Sequence, residues 1–215
     1  MSPATLDVIT IDGPAGSGKS SVGKRIAQLL DWSYLDTGSQ YRSVGVLCQE
    51  QGFDLNDELA CAVVAREFVA GHVIPAPGKI WYQGSELSAV IRTPEASMGA
   101  SLVARHPLVR EVLVEAQQIF TAAQQCVVEG RDAGTTICPT AIVKIHLTAR
   151  EEVRAQRREE SALEAIIRRD RIDSTRATSP LEIAKDANVI DSSDITIDEI
   201  ANQVCQLYRD RSTAP

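Results

Sequence analysis

The chain has 215 residues, 44% of them hydrophobic and 24% charged, with a formal net charge of −7 at pH 7. That length suits one domain with small appendages and is enough to bury a core. The acidic balance argues against nucleic acid as the main partner, because phosphate backbones need a basic face.

Five cysteines, Cys48, Cys61, Cys126, Cys138 and Cys205, form no C-x-x-C pair, so no metal or disulfide framework is visible. Reduced, buried thiols are expected. No apolar run approaches membrane-spanning length, and the first residues lack the basic and apolar regions of a signal peptide. The expectation is a cytoplasmic monomer with neither nucleic acid nor membrane as partner.

In chain order, Val8-Ile9-Thr10-Ile11 reads as a short buried strand, and Val22, Ile26, Leu29 and Leu30 recur at helical spacing. Between them, Gly13-Pro14-Ala15-Gly16-Ser17-Gly18-Lys19-Ser20 fits G-x-x-x-x-G-K-[ST] in its strand–loop–helix setting. Glycines let backbone N–H groups turn around phosphate oxygens, and the following helix adds its positive end. Lys19 reaches the outer phosphates, and Ser20 can hold Mg²⁺.

Trp32–Asp36 reads as a second strand ending in a carboxylate, and a helix carrying Tyr41, Arg42, Val44 and Leu47 follows. Asn56 can cap the next helix, whose apolar residues include Leu59, Val63, Val64 and Phe68. From about His72 to Ser88 the pattern turns β-rich, with a Pro75-Ala76-Pro77-Gly78 turn between His72–Ile74 and Ile80–Tyr82. Thr93-Pro94 and His106-Pro107 mark two helix starts.

Cys126–Val128 and Ala141–Leu147 are further strands, and the first ends in Glu129-Gly130-Arg131-Asp132. Capping-box patterns at Thr148–Glu151 and Ser161–Glu164 frame an arginine-rich helical region from Arg150 to Arg176. Asn188–Asp191 is a last strand, and Thr196–Glu199 caps a C-terminal helix.

Strands that alternate with helices and are this short imply an α/β fold, a parallel sheet covered by helices on both faces. Ligands then gather at the carboxyl ends of the strands, at Asp12, at Asp36-Thr37 and at Glu129–Asp132. Asp36 can hold Mg²⁺ directly or through water, or cap the next helix, a role for which Thr37 competes. Arg131 suits a phosphate, and Asp132 can orient it or accept from an exocyclic amine.

The segment from 150 to 176 carries eight arginines and seven acids, so much of it is a solvated helix with internal ion pairs. Arg169, Asp173 and Arg176 have a spacing of their own, i, i+4 and i+7, that puts one acid between two arginines on one face. A switch NTPase needs only the phosphate loop and a water. A kinase for a phosphorylated small molecule needs a second anion site, and the chain has one. It also lacks an Asn-Lys-x-Asp guanine-reading motif. A kinase for another acceptor such as shikimate, and a nucleotide-binding regulator without catalysis, are the rival readings.

These motifs together resemble bacterial-type cytidylate kinase. The resemblance runs from about Val8 to Tyr208, over Ile11–Ser21, Leu35–Gly38 with Tyr41-Arg42, Ile91–Thr93, Glu129–Asp132 with Gly134-Thr135, Arg169-Asp170 with Asp173 and Arg176, and Ser179–Leu181 leading to Asp186–Asp191. It implies a P-loop nucleoside monophosphate kinase fold with a core (6–36, 126–149 and 186–210), a monophosphate-binding region enlarged by the β-containing insert (37–110), and a lid (150–176).

By that resemblance, Gly13, Pro14, Ala15, Gly16, Ser17, Gly18, Lys19, Ser20 and Ser21 bind ATP. Thr37, Arg42, Ser101, Arg110, Arg131, Asp132, Arg169, Asp173 and Arg176 hold CMP. Ser101, Arg110 and Asp132 would read cytosine, Asp173 with Arg169 the sugar, and Arg42 and Arg131 the acceptor phosphate. Lys19, Arg131, Arg157 and Asp36 are the catalytic candidates, with Arg154 and Arg158 as further lid arginines. Mg²⁺ would rest on Ser20, with Asp36 or Glu129 acting through water. The implied reaction is phosphorylation of CMP, and of dCMP, by ATP. The stretch between Arg158 and Arg168 is several residues shorter than the family's usual lid.

Overall fold

The computed structural model describes residues 6–74, 77–158 and 163–213. The chain divides into two compact units, Met1–Leu35 with Gln118–Pro215, and Asp36–Gln117.

The first unit is built on a five-stranded sheet. Its strands are β1 (Val8–Asp12), β2 (Ser33–Asp36), β6 (Cys126–Gly130), β7 (Val143–Thr148) and β8 (Asn188–Asp191), in the order β2-β6-β1-β7-β8. β1 runs parallel to β6 and β7, and β7 parallel to β8. Successive residues of β1 and β6 are all buried, so both faces of the sheet are covered, as the unbroken apolar strands require.

Ile9 and Ile11 join Val22 and Ile26 of helix α1 (Lys19–Leu30) and Ile200 and Val204 of helix α8 (Ile197–Ser212) in one core. The alternate residues of β1, Thr10 and Asp12, are buried on a polar side. Thr196 and Glu199 make the reciprocal capping box that their spacing predicts.

The second unit holds α2 (Thr37–Glu50), α3 (Glu58–Gly71), α4 (Pro94–Val103), the first part of α5 (Pro107–Ala123), and the insert. The insert is a three-stranded antiparallel sheet of β3 (His72–Val73), β4 (Trp81–Tyr82) and β5 (Ser85–Glu86). Pro75 and Ala76, in the expected turn, lie outside the described residues. Helices α2 and α4 approach so closely that a Cβ on Gly45 would lie 3.0 Å from the Gly99 carbonyl carbon. Thr93 caps α4 and Pro94 fills its first turn, as the Thr-Pro pair predicts.

Three local expectations fail for identifiable reasons. Asp57, not Asn56, caps α3 by accepting from the Ala60 N–H, while the Asn56 N–H and side-chain amide turn back to Asp54. Leu59 and Val63 face outward, and the buried stripe of α3 is Cys61, Ala62, Val64, Ala65 and Phe68. Thr148 caps nothing. It is the last residue of β7, and its hydroxyl donates to the Ile190 carbonyl while helix α6 (Glu151–Arg158) begins three residues later. The capping-box pattern at Ser161 lies outside the described residues. No helix among the described residues is long and apolar enough to cross a membrane.

Candidate active site

The phosphate loop joins β1 to α1. Gly13, Gly16 and Gly18 have φ of +145°, +76° and +92°, a region that favours glycine. Two of them also make room for neighbours. A Cβ on Gly13 would lie 2.1 Å from the Leu147 carbonyl oxygen, and one on Gly16 would lie 2.6 Å from the Arg154 carbonyl oxygen. Gly18 leads into the first turn of α1, whose N–H groups have no acceptor within the helix.

Lys19 is buried, and its Nζ donates to the Pro14 carbonyl at 2.7 Å. Ser20 Oγ donates to Glu129 Oε1 at 2.8 Å, at the carboxyl end of the neighbouring strand β6. Pro14, Gly16 and Gly18 are half-buried, Ala15 and Ser17 buried, and Ser20 and Ser21 exposed.

Past β6 the chain makes a wide helical turn over Ala133–Ile137, which no residue pattern announces. Its start is held by Asp12, whose two carboxylate oxygens accept from the Ala133 and Gly134 N–H groups, both at 2.8 Å. Burial pushes the Asp12 carboxyl up to about 6, against the pull of those N–H groups and of Lys19. The two residues before this turn are Arg131 and Asp132. Asp132 is buried. Arg131 Nη1 donates to the Gly13 carbonyl at 2.7 Å and Nε to Asp173 Oδ2 at 2.8 Å. Lys19 and Arg131 therefore bind consecutive carbonyls, those of Pro14 and Gly13.

Asp173 lies on α7 (Leu163–Ser174), and Arg176 just past it is 3.8 Å from its other oxygen. Burial alone would raise the Asp173 carboxyl, but Arg131, Arg176 and Arg169 outweigh it and hold it below the ordinary aspartate value. Burial likewise works against the charge on Arg131, and Asp173, Asp170 and Glu129 restore it. The charges of Arg131, Arg169 and Arg176 thus all act on one carboxylate.

On α6, Arg157 donates to the Ser192 hydroxyl at 2.9 Å and to the Ser192 carbonyl at 2.6 Å, and comes within 3.6 Å of the place where Gly18 would carry a Cβ. The Arg158 side chain lies outside the described part of the molecule.

In the second unit, Asp36 caps α2. Its Oδ1 accepts from the Ser39 N–H at 2.9 Å and its Oδ2 from Arg42 Nη2 at 2.7 Å. Thr37 is the first residue of α2 and is buried. Ser101 on α4 and Arg110 on α5 are also buried, with the Arg110 guanidinium 5.5 Å from the centre of the Tyr41 ring, within cation–π range.

Spacing does not single out Asp12, His146, Asp170 or Ser192, which touch or adjoin this machinery. His146 pairs in register with Asp12 on β7. Burial, then Lys19 and Arg131, lower its pKa, so the imidazole is neutral at pH 7. The only signal for Asp12 is its place at a strand end. Asp170 is visible only as the neighbour of Arg169. All five cysteines are buried free thiols, and burial pushes Cys48 and Cys126 up to about 12.

A phosphate loop between a buried parallel strand and a helix, with a second set of arginines beside it, defines a P-loop kinase. A gluconokinase from Sinorhizobium meliloti shares the fold, with a TM-score of 0.53 and 14% identity over 98% of this chain and 96% of that one. The cytidylate kinase family model matches residues 9–210. Cytidylate kinases of Bacillus licheniformis and Streptomyces avermitilis are 39% and 42% identical to this chain, over 93% and 96% of it and 94% of each relative. The chain belongs to the cytidylate kinase family: it is a nucleoside monophosphate kinase with ATP as phosphate donor.

Proposed function

We propose that the enzyme transfers the γ-phosphoryl group of ATP to CMP, and to dCMP, giving ADP and CDP or dCDP by in-line displacement. One observation carries the assignment of roles. Lys19 and Arg131, 112 positions apart in the sequence, donate to the adjacent carbonyls of Pro14 and Gly13, both at 2.7 Å. Two cations at one end of a phosphate loop are what a transferring phosphoryl group needs as its charge spreads.

Gly13 to Ser21 hold the donor phosphates, with Lys19 on the outer ones. Arg157, beside the start of α1, adds positive charge on the donor side. Arg131, Arg169, Asp173 and Arg176 hold the acceptor nucleotide, Asp173 with Arg169 on the sugar. Thr37, Arg42, Ser101, Arg110 and Asp132 complete the CMP set, with Ser101, Arg110 and Asp132 on the base. Asp36 orients Arg42. No general base is required, because the acceptor phosphate oxygen is already anionic at neutral pH. Positioning and charge stabilisation supply the rate.

Ser20 and Glu129 put a hydroxyl and a carboxylate 2.8 Å apart at the loop, hard oxygen donors that suit Mg²⁺. Among the described residues there is no larger cluster of metal-binding side chains. That fits an ion held mainly by nucleotide phosphates and water, with one or two protein oxygens. Ser20 would hold it directly and Glu129 or Asp36 through water. When bound, Mg²⁺ neutralises developing phosphate charge.

The test is a coupled ADP-release assay over CMP, dCMP, UMP, AMP and shikimate. Turnover highest with CMP and dCMP is expected. Preference for AMP with CMP inert would overturn the acceptor, and tight ATP binding without CDP formation would overturn catalysis.

A further inference from the structure

Both backbone polar groups of Ala15, in the middle of the phosphate loop, are held by side chains from far along the chain. Its N–H donates to Asp170 Oδ1 at 3.0 Å, and its carbonyl accepts from Arg154 Nη1 at 3.1 Å. Arg154 also pairs with the other oxygen of Asp170. Ala15 is fully buried and Arg154 only 6% exposed. At the next residue, a Cβ on Gly16 would lie 2.9 Å from Arg154 Cβ and 3.0 Å from its Cα, so α6 rests directly on the loop.

We propose that Arg154 and Asp170 act as positioning residues, a clamp that sets the outer arm of the phosphate loop, Pro14 to Gly16, for phosphoryl transfer. The inference rests on reading Gly13 to Ser20 as the cradle of the donor phosphates. The cradle works by the direction of its N–H groups, and those after Ala15 depend on the left-handed backbone of Gly16 and Gly18. A rotation at Ala15 would redirect them and would also move the Pro14 carbonyl that anchors Lys19.

The loop's own Lys19 holds the Pro14 carbonyl, but the Ala15 N–H and carbonyl are left to Asp170 and Arg154. Within the loop the backbone contact is a long Ser17 N–H to Pro14 carbonyl bond at 3.4 Å. A carboxylate that accepts from both a backbone N–H and a guanidinium makes charge-assisted bonds of the stronger kind. Because Arg154 belongs to α6 and Asp170 to α7, the same clamp fixes both helices to the loop. A surface ion pair between two helices would touch no loop atom.

The experiment measures kcat and KM for ATP and CMP, together with ATP binding at equilibrium and thermal unfolding. The proteins are the wild-type enzyme, Asp170→Asn, Asp170→Ala, Arg154→Met and the double variant Arg154→Met/Asp170→Ala. Asp170→Ala is expected to lower kcat/KM for ATP on the order of 100-fold, the effect of misplacing a phosphate cradle by about an ångström. Asp170→Asn keeps an acceptor for the Ala15 N–H and loses the charge facing Arg154, with an expected loss of about 10-fold. KM for CMP should stay at the wild-type value. The double variant should be no worse than the poorer single one, since the two residues act as a unit.

Wild-type kcat/KM for ATP in Asp170→Asn, an equal rise in KM for CMP, or single effects that multiply in the double variant would each overturn the clamp. If Asp170→Ala does not fold, Asp170→Asn and its ATP affinity decide: weakened binding supports the clamp and unchanged binding refutes it. A wild-type enzyme that makes no CDP defeats the functional reading instead, and the clamp is then judged on ATP binding alone.

Discussion

The phosphate loop and the arginine-rich segment, the two parts assigned above to anions, are built by opposite means. From Gly13 to Ser20 the site is made of consecutive backbone groups, shaped by glycines and the start of α1. From Arg150 to Arg176 it is made of side chains, and neighbours in sequence do unrelated work. Arg150 pairs with Asp194 at the surface, Arg154 holds the loop, Arg157 holds Ser192, and the charges of Arg169 and Arg176 act on Asp173. A backbone site tolerates little variation in spacing and so leaves a contiguous motif. A side-chain site needs only that the groups converge after folding, and it leaves a composition.

Lys19→Ala strikes at the backbone-built site. It removes the side chain that the proposed mechanism places on the outer phosphates, and with it the bond to the Pro14 carbonyl. Turnover is expected to fall on the order of 10³-fold, with much less change in CMP affinity. Unchanged turnover would refute the role of Lys19.

Next is Asp173→Asn, which strips the counter-charge from Arg131 and Arg176. Removing one partner of a buried pair costs about 3–5 kcal/mol, read by chemical denaturation. The sign with pH follows from its lowered pKa. The stability that Asp173 supplies is fully present above the ordinary aspartate value and is lost as pH falls below it. The gap between wild type and variant should therefore close only in strong acid.

Asp12 behaves in the opposite way. Its carboxyl titrates near 6 in the folded chain against 3.8 when free. The folded state holds the extra proton between those values, so stability is lost as pH rises through them, by about 3 kcal/mol in all. In Asp12→Asn that loss is absent. The melting temperature of wild type relative to the variant should thus fall between about pH 4 and pH 6 and stay level above. A flat difference would show that Asp12 is not protonated there.

The smallest expected effect is in Arg150→Ala. Both members of that pair are more than half exposed, and solvent-exposed ion pairs contribute little. No measurable change in melting temperature or turnover is expected, and a large loss would place Arg150 in the site after all.

Apart from the two ends of the site, the legibility of the fold varied with the reach of each interaction. Thr93-Pro94 and Thr196 with Glu199 declare their helix starts because a cap is settled within four residues. Thr148 carries the same pattern and fails, because strand β7 claims it for pairing with β8. On α3, Leu59 and Val63 satisfy a helical period but lie outside the buried stripe, and the neighbours that bury the other side are set by tertiary packing.

The phosphate loop, the alternation of short buried strands with helices, the β-containing insert and a second cationic set are all written in the order of the residues. These are local in the chain: a run of φ-tolerant residues, a period, a cap, a count of charges. Folding alone brings Lys19 and Arg131 to adjacent carbonyls, Asp12 to the turn after Arg131-Asp132, and Arg154 and Asp170 together at Ala15. Each of those contacts joins residues brought together by the sheet order or by helix docking, and no spacing along the chain encodes it. The glycines of the loop belong to both accounts. Their φ values follow from the motif, but the close approach of Leu147 to Gly13 and of Arg154 to Gly16 exists only once β7 and α6 are in place.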